Sequence, residues 1–316
     1  MTTSGTVGQT VINTAKVLEH ALRRCGLSPV IQTPEVITVA MECLYLLLTH
    51  YANRGLNLWC IERTLIGYQV GKKEYLLPIG TNDVLNELHC TPSLISGTLA
   101  GNIFTFDASD TLTRVGIQFS VLPVSATFTI SISSGASQVI DSTTVTDVNT
   151  VYWYSFDPSV DCSSVTISAG TVSSIYPANR VTEIPITPVN RDTYQEFPNK
   201  DFRSGQVTSS YFNKTLTPSL TFWPVPDGQI KHASVIVHRQ IQDVGTLTQQ
   251  LAIPQRWFEA TVIQLAFRLA LELPGVDPGR VKILSDLSEK FQIEAEDEET
   301  DSAPIYLTPR IAPYTR

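Results

Sequence analysis

Charge is scarce in this 316-residue chain, and positive charge is the scarcer kind. Asp, Glu, Lys and Arg make up only 16% of it, 22 basic residues stand against 30 acidic ones, and the formal net charge is −8. Tight nucleic-acid binding needs the reverse balance, because affinity comes from neutralising phosphates, so that function class is excluded. Cysteine is sparse as well. Cys25, Cys43, Cys60, Cys90 and Cys162 are odd in number, widely spaced and without a Cys-x-x-Cys pair, which points to free thiols made in a reducing compartment rather than a disulfide framework. Long apolar runs are lacking: Val36–Leu48 is broken by Glu42 and falls short of the roughly 20 residues that a bilayer span needs. Met1–Thr6 has neither the basic nor the apolar region of a secretion signal. The expectation is a soluble protein with no membrane contact.

What the chain does have is 42% hydrophobic residues, enough to bury a core, in a length that suggests roughly two domains. Residues 91–190 hold only nine charged side chains and 32 Ser or Thr. Val115–Val121 and Ala126–Ile132 alternate apolar and polar, the period-2 signature of half-buried strands. They predict an all-β, jelly-roll-like sandwich over 92–183, with further strands at Val151–Phe156 and Val165–Ala169.

The flanks are helical in period. Val7, Val11, Ala15, Leu18, Leu22 and Cys25 share one face, with Gly26 as a stop. Thr33-Pro34-Glu35 opens a second helix running to Tyr51–Gly55. Pro254 starts a third, stopped by Pro274-Gly275, and Asp277-Pro278 caps a fourth with Val281, Leu284, Leu287 and Phe291 on one face. Neither pair alone makes a convincing core. The fold class expected is therefore α+β: a helical bundle built from 1–91 and 184–301 and interrupted by the inserted sandwich. Short strands at Trp59–Val70, Tyr75–Leu77, Ser219–Trp223 and Ala233–Val237 fill its joins.

Catalytic grammar is missing. There is no His-Glu-x-x-His, Gly-x-Ser-x-Gly or phosphate-cradling glycine loop, so the chain is expected to be no enzyme and to need no cofactor. His89-Cys90 offers two adjacent metal ligands without a second cluster to complete a site. Asp157 and Asp161 flank a proline, as a Ca²⁺ loop or a solvated turn would. Tyr152, Trp153 and Tyr154 fit a sugar-stacking platform or plain core packing. Nothing pairs Asp107, Asp110, Asp141, Asp147, Asp157 and Asp161 as a glycosidase would need.

The C-terminus says more. Six acids in eight residues, Glu294–Asp301, oppose the helix dipole and predict fraying. In 302–316, Pro304, Pro309 and Pro313 forbid helix, yet Ile305, Tyr306, Leu307, Ile311 and Tyr314 are apolar beyond what a solvated tail needs, and Arg310 adds a cation. These residues read as an arm, up to roughly 50 Å long, that folds onto another subunit.

Several stretches together resemble the head-to-tail adaptor, or connector, proteins of short-tailed bacteriophages. They are Tyr75-Leu76-Leu77-Pro78 with Asp83-Val84-Leu85, Arg191-Asp192-Thr193-Tyr194 with Pro198-Asn199-Lys200, Leu220–Asp227, and Ile253–Ala260 leading to Leu265-Ala266 and Leu269-Ala270. The resemblance implies a virion protein at the head–tail junction, made in the host cytoplasm, whose copies form a ring, usually a dodecamer. Its partners would be the portal protein, gripped by the arm residues Ile305, Tyr306, Leu307, Arg310, Ile311 and Tyr314, and the tail nozzle protein. DNA would touch it only in transit during genome ejection. Residues 92–183 depart from the usual compact adaptor and would either hold a tail fibre or spike or enlarge the contact with the nozzle. A second reading makes them a glycan-binding module.

Overall fold

The structure is a computed structural model that describes residues 13–26, 33–54, 58–241 and 245–298. The arm 302–316 lies outside the described residues. In chain order the elements begin with helices α1 (Thr14–Cys25) and α2 (Pro34–Arg54). Strands β1 (Ile61–Gly67), β2 (Glu74–Leu76), β3 (Thr81–Leu94), β4 (Gly97–Ala100), β5 (Ile103–Val121), β6 (Thr127–Ile132) and β7 (Ser137–Asp141) follow. Then come β8 (Val151–Ile167), β9 (Thr171–Pro185), β10 (Thr187–Val189) and a short helix α3 (Arg191–Glu196). After it stand β11 (Arg203–Ser204), β12 (Ser209–Asn213), β13 (Ser219–Trp223), β14 (Val225–Pro226) and β15 (His232–Arg239). Helices α4 (Phe258–Glu272) and α5 (Pro278–Glu298) close the order. Two compact units result: residues 1–60 with 240–316, and residues 61–239.

The helical unit follows its local signals. Asn13 caps α1 by accepting from Lys16 N at 3.1 Å, and Gly26 ends it at φ 86°, a conformation a side chain would resist. The Val7–Ile12 part of the expected first helix lies outside the described residues. Pro34 opens α2 behind Thr33, and Asp277 accepts from Arg280 N at the start of α5. Helix α4 is the centre: Ala260, Leu265, Ala266 and Leu269 are buried against α1, α2 and α5. By length and composition alone Pro34–Ala52 is apolar enough to cross a membrane. Here its Ala40, Cys43, Leu44, Leu47, Leu48 and Tyr51 are buried in this unit's core. Helix α5 continues through the acidic run to Glu298, because Gln292 and Ala295 are buried and Gln264 Nε2 donates to Gln292 Oε1 at 2.6 Å.

The expected fold class is wrong. The chain is mainly β, not a helical bundle interrupted by a jelly-roll-like sandwich. Strands placed in the helical domain by the sequence reading, β1 and β15, are hydrogen-bonded into the same nine-stranded antiparallel sheet as the central block. Its order is β1-β15-β3-β9-β5-β8-β6-β7, with β4 on β5. Strands β3 and β9 pair from Leu88/Pro185 to Leu94/Ala178 and run through residues 91 and 184, where the boundaries were expected. The physical reason is hydrogen-bond demand: β15 is buried on both faces and needs a partner strand on each side, which helices cannot supply. Val151–Phe156 and Val165–Ala169 likewise merge into one strand, β8, with a shift in register near Leu112/Arg114 where a turn was expected.

Three cores hold the β unit. Leu112, Val115, Ile117, Phe119, Phe128, Ile130, Val165 and Ile167 fill the largest. Tyr68, Tyr75, Leu220, Phe222, Ala233 and Val235 join the main sheet to a four-stranded one of order β10-β12-β13-β2. Val151, Trp153 and Ala178 form the third, with Leu65 and Tyr176 packed on it.

Candidate functional site

The main sheet curls until β1 approaches β8. A Cβ on Gly67 would stand 1.9 Å from the Val151 carbonyl oxygen, so only glycine permits that approach. Inside the curl, register brings polar side chains from distant segments together. His232 is opposite Cys90 and Cys90 is opposite Glu183, so the three share one face across β15, β3 and β9. Arg114 of β5 reaches into this row. Its Nη1 donates to His232 Nε2 at 2.8 Å and its Nη2 donates to Glu183 Oε1. Arg63 of β1 donates from Nη2 to the same Glu183 oxygen at 2.6 Å and from Nε to Ser234 Oγ at 2.6 Å.

Arginine has no acceptor, so His232 must accept through Nε2 and is neutral, with its proton on Nδ1. Burial drives its pKa far down, and the neighbouring Arg114 charge pushes the same way. Trp153 stacks on the His232 ring with centroids 4.2 Å apart. On the opposite face of β3, Tyr68 OH meets His89 Nδ1 at 3.2 Å, and burial lowers His89 to about 4. Glu87, beside it on the strand, is buried and raised to about 7 by desolvation, which the neighbouring Ser210 hydroxyl partly offsets.

This cluster is a cross-strand clamp. Glu183 is taken up by two guanidinium groups, and the Ser234 hydroxyl faces Arg63 rather than a base. Cys90 is buried and its thiol is pushed up, away from the thiolate that chemistry would use. Sequence reasoning missed Arg63, Arg114, Glu183, His232 and Ser234. The available signal was that Arg114 and Glu183 are two of nine charges in an apolar, strand-forming block.

A groove of about 610 Å³ lies beside the clamp, lined by Thr64–Gly67, Tyr75–Pro78, Thr144, Thr146, Asp147 and Tyr152–Tyr154, among others. Tyr152 OH accepts from Thr146 N at 2.9 Å and Asp147 N at 2.8 Å, fixing the loop. Asp147 accepts from Asn149 N and from Gln69 Nε2, both at 2.8 Å, and the Asn149 bond is the first cause of its lowered pKa. With both oxygens engaged it is poorly placed to take a proton. Trp153 is 4% exposed and its ring face is covered by His232, so it offers no platform to a sugar.

The remaining sequence candidates stay apart. Among the described residues no three His, Cys, Asp or Glu side chains gather as a metal site. Asp161 Oδ1 accepts from Thr111 Oγ1 at 2.5 Å, Asp110 accepts from Asn179 at 2.9 Å, and Asp141 caps a short 3-10 turn. Asp107 and Asp157 are exposed on β5 and β8.

By contrast, stretches that carry the resemblance converge. Arg191, Tyr194, Lys200 and Thr221 line one cleft of about 350 Å³ with Lys73 and Tyr211. Tyr194 stacks on Tyr211 at 5.6 Å, Phe197 stacks on Trp223 at 4.4 Å, and Trp223 Nε1 donates to Asn199 O at 2.9 Å. Rings thus pin the α3 connector to the outer face of β12 and β13. No protein-family model matches the chain, and no curated protein matches it.

Proposed function

We propose that this chain is a structural virion protein, a head-to-tail adaptor whose copies close a ring between the portal and the tail nozzle, with the genome passing through. One observation carries the reading: the helical unit fills its own core yet leaves large apolar side chains outside. Tyr45 and Leu46 on α2 are 49% and 52% exposed, and Ile283 on α5 is 60% exposed. Exposed apolar faces of this kind suit a subunit that packs against copies of itself in a ring. The β unit contributes Ile79 and Leu216, also highly exposed, as contacts for the nozzle or for a tail fibre or spike. The arm 302–316 engages the portal. In this reading the chain performs no chemistry, takes no cofactor, and meets DNA through an acidic wall that repels phosphate.

The test is native mass spectrometry and negative-stain microscopy of the purified chain, alone and with portal rings. Closed rings that attach to portals are expected. Deleting 302–316 should leave the subunit's melting temperature unchanged and abolish attachment. A chain that stays monomeric at its highest soluble concentration and ignores portals refutes the proposal.

A further inference from the structure

The edge of a sheet presents unpaired N–H and C=O groups, and natural sheets blunt it with proline, cations, a short strand or a cover. Most edges of the two larger sheets are blunted in these ways. β10 holds Pro188, and β2 is bracketed by Lys73 and Pro78. β1 lies against β8 at Gly67, and β4 is four residues long and opens on Gly97. The edge at β7 has no proline and no cation, and no strand pairs with its outer side. Its ladder with β6 sets Phe128 opposite Ile140 and Ile130 opposite Gln138, and the bonds from Ile132 N to Ala136 O and from Ser142 N to Ala126 O keep the same register. Residues 136, 138, 140 and 142 therefore bond inward, while Ser137, Val139 and Asp141 turn their backbone groups outward. Among the described residues the N–H and C=O of Ser137 and Val139 and the N–H of Asp141 have no partner; the Asp141 carbonyl is taken by the Thr144 hydroxyl at 2.7 Å. The side chains of the same three residues are exposed, Val139 by 66%. Asp141 Oδ1 accepts from Thr143 N at 2.9 Å and from Thr143 Oγ1 at 2.8 Å, which keeps the carboxylate ionised and leaves Oδ2 open. β6, β7 and β8 together carry Asp141, Asp157 and Asp161 and no Lys, Arg or His.

We propose that β7 is a docking edge that takes an extended segment of a partner protein as one further antiparallel strand, with Lys or Arg opposite Asp141 and an apolar residue opposite Val139. The open backbone groups recur every second residue, a spacing that an extended main chain matches and a helix does not. Antiparallel pairing is the rule of every ladder in this sheet. The partner segment then reads, from its N-terminus, basic, any, apolar, any, polar. Charge selects a partner over a second copy, because two β7 edges in register would bring together two sheet edges that hold acids and no cation. The inference does not rest on the adaptor reading: it calls for a partner strand and not for a ring.

The experiment titrates the full chain with a blocked synthetic peptide, Thr-Arg-Thr-Val-Thr-Ser, and with the same peptide carrying Glu in place of Arg, and follows backbone hydrogen exchange by mass spectrometry. The Arg peptide should slow exchange over residues 137–141, and the Glu peptide should bind at least about fivefold more weakly, attraction being exchanged for repulsion. Asp141→Asn, which keeps the acceptor for Thr143, should bind both peptides alike. Val139→Pro removes an outward N–H without touching the ladder to β6 and should abolish protection with an unchanged circular dichroism spectrum. No protection by either peptide at about 1 mM overturns the docking edge, and equal binding of both overturns the basic partner. A wild type that dimerises, with Val139→Cys linking two copies by a disulfide, overturns the partner in favour of a second copy. Assembly of Val139→Pro should match that of the wild type on native mass spectrometry; its loss would assign β7 to contacts between copies and overturn the proposal while the ring reading stands.

Discussion

Replacing Glu87 by Gln tests whether the carboxyl beneath the four-stranded sheet is held neutral. Glu87 is 3% exposed and lies next to Ser210, with a pKa raised from 4.5 to about 7 by burial. An unfolded chain releases this proton above pH 4.5, whereas the folded chain keeps it to about pH 7. Within that window the unfolded state binds fewer protons, so stability falls as pH rises. At about 1.4 kcal/mol per pH unit the cost reaches about 3 kcal/mol by pH 8. Gln has the same shape and does not titrate. The Glu87→Gln variant should therefore match the wild type within about 1 kcal/mol at pH 4.5, the difference being the altered contact with Ser210. It should then gain steadily, to about 3 kcal/mol more stable at pH 8. Urea unfolding at four values between pH 5 and 8, followed by fluorescence and circular dichroism, measures this directly. A stability difference that is the same at pH 5 and pH 8 would refute the reasoning.

The histidines work in the other direction. His89 and His232 are held neutral by burial, so the unfolded state takes up their protons below its own pKa near 6.5 and stability drops as pH falls. In the Glu87→Gln background, acidification from pH 6.5 to 4.5 should cost about 2 kcal/mol per histidine, and His89→Gln should remove its share; an unchanged slope on urea titration would contradict this. Glu183→Gln should cost about 3–5 kcal/mol, because it strands the buried Arg114 guanidinium, whereas Arg114→Met should cost less, since Glu183 keeps Arg63. The reverse order in thermal melts would show that the clamp is not governed by the buried charge. Gly67→Ala should lower stability by about 2–3 kcal/mol through the clash with the Val151 carbonyl, while Gly228→Ala, where a Cβ meets nothing and φ is not positive, should lose far less.

Local order was set by the sequence alone. The cap at Asp277, the stop at Gly26, the buried faces of α1 and α4 and the strand character of 115–132 follow from side-chain chemistry and period within a few residues, whereas the start of α1 at Asn13 was not among them. These depend on neighbours at i+2 to i+4, which any reading of the chain contains. Strand partnership was decided only by the tertiary structure. Nothing local tells β3 to continue past Pro92 and pair with β9, or joins β1 and β15 to the central block rather than to the helices. For that reason the unit boundaries fall at 60/61 and 239/240, at the outer ends of β1 and β15. The clamp depended on the same step. Arg63, Arg114, Glu183 and His232 come from four strands spread over 170 residues and meet because register puts them on one face of one curled sheet. A hydrogen-bond ladder has no sequence signature for its partner, only the requirement that every edge find one.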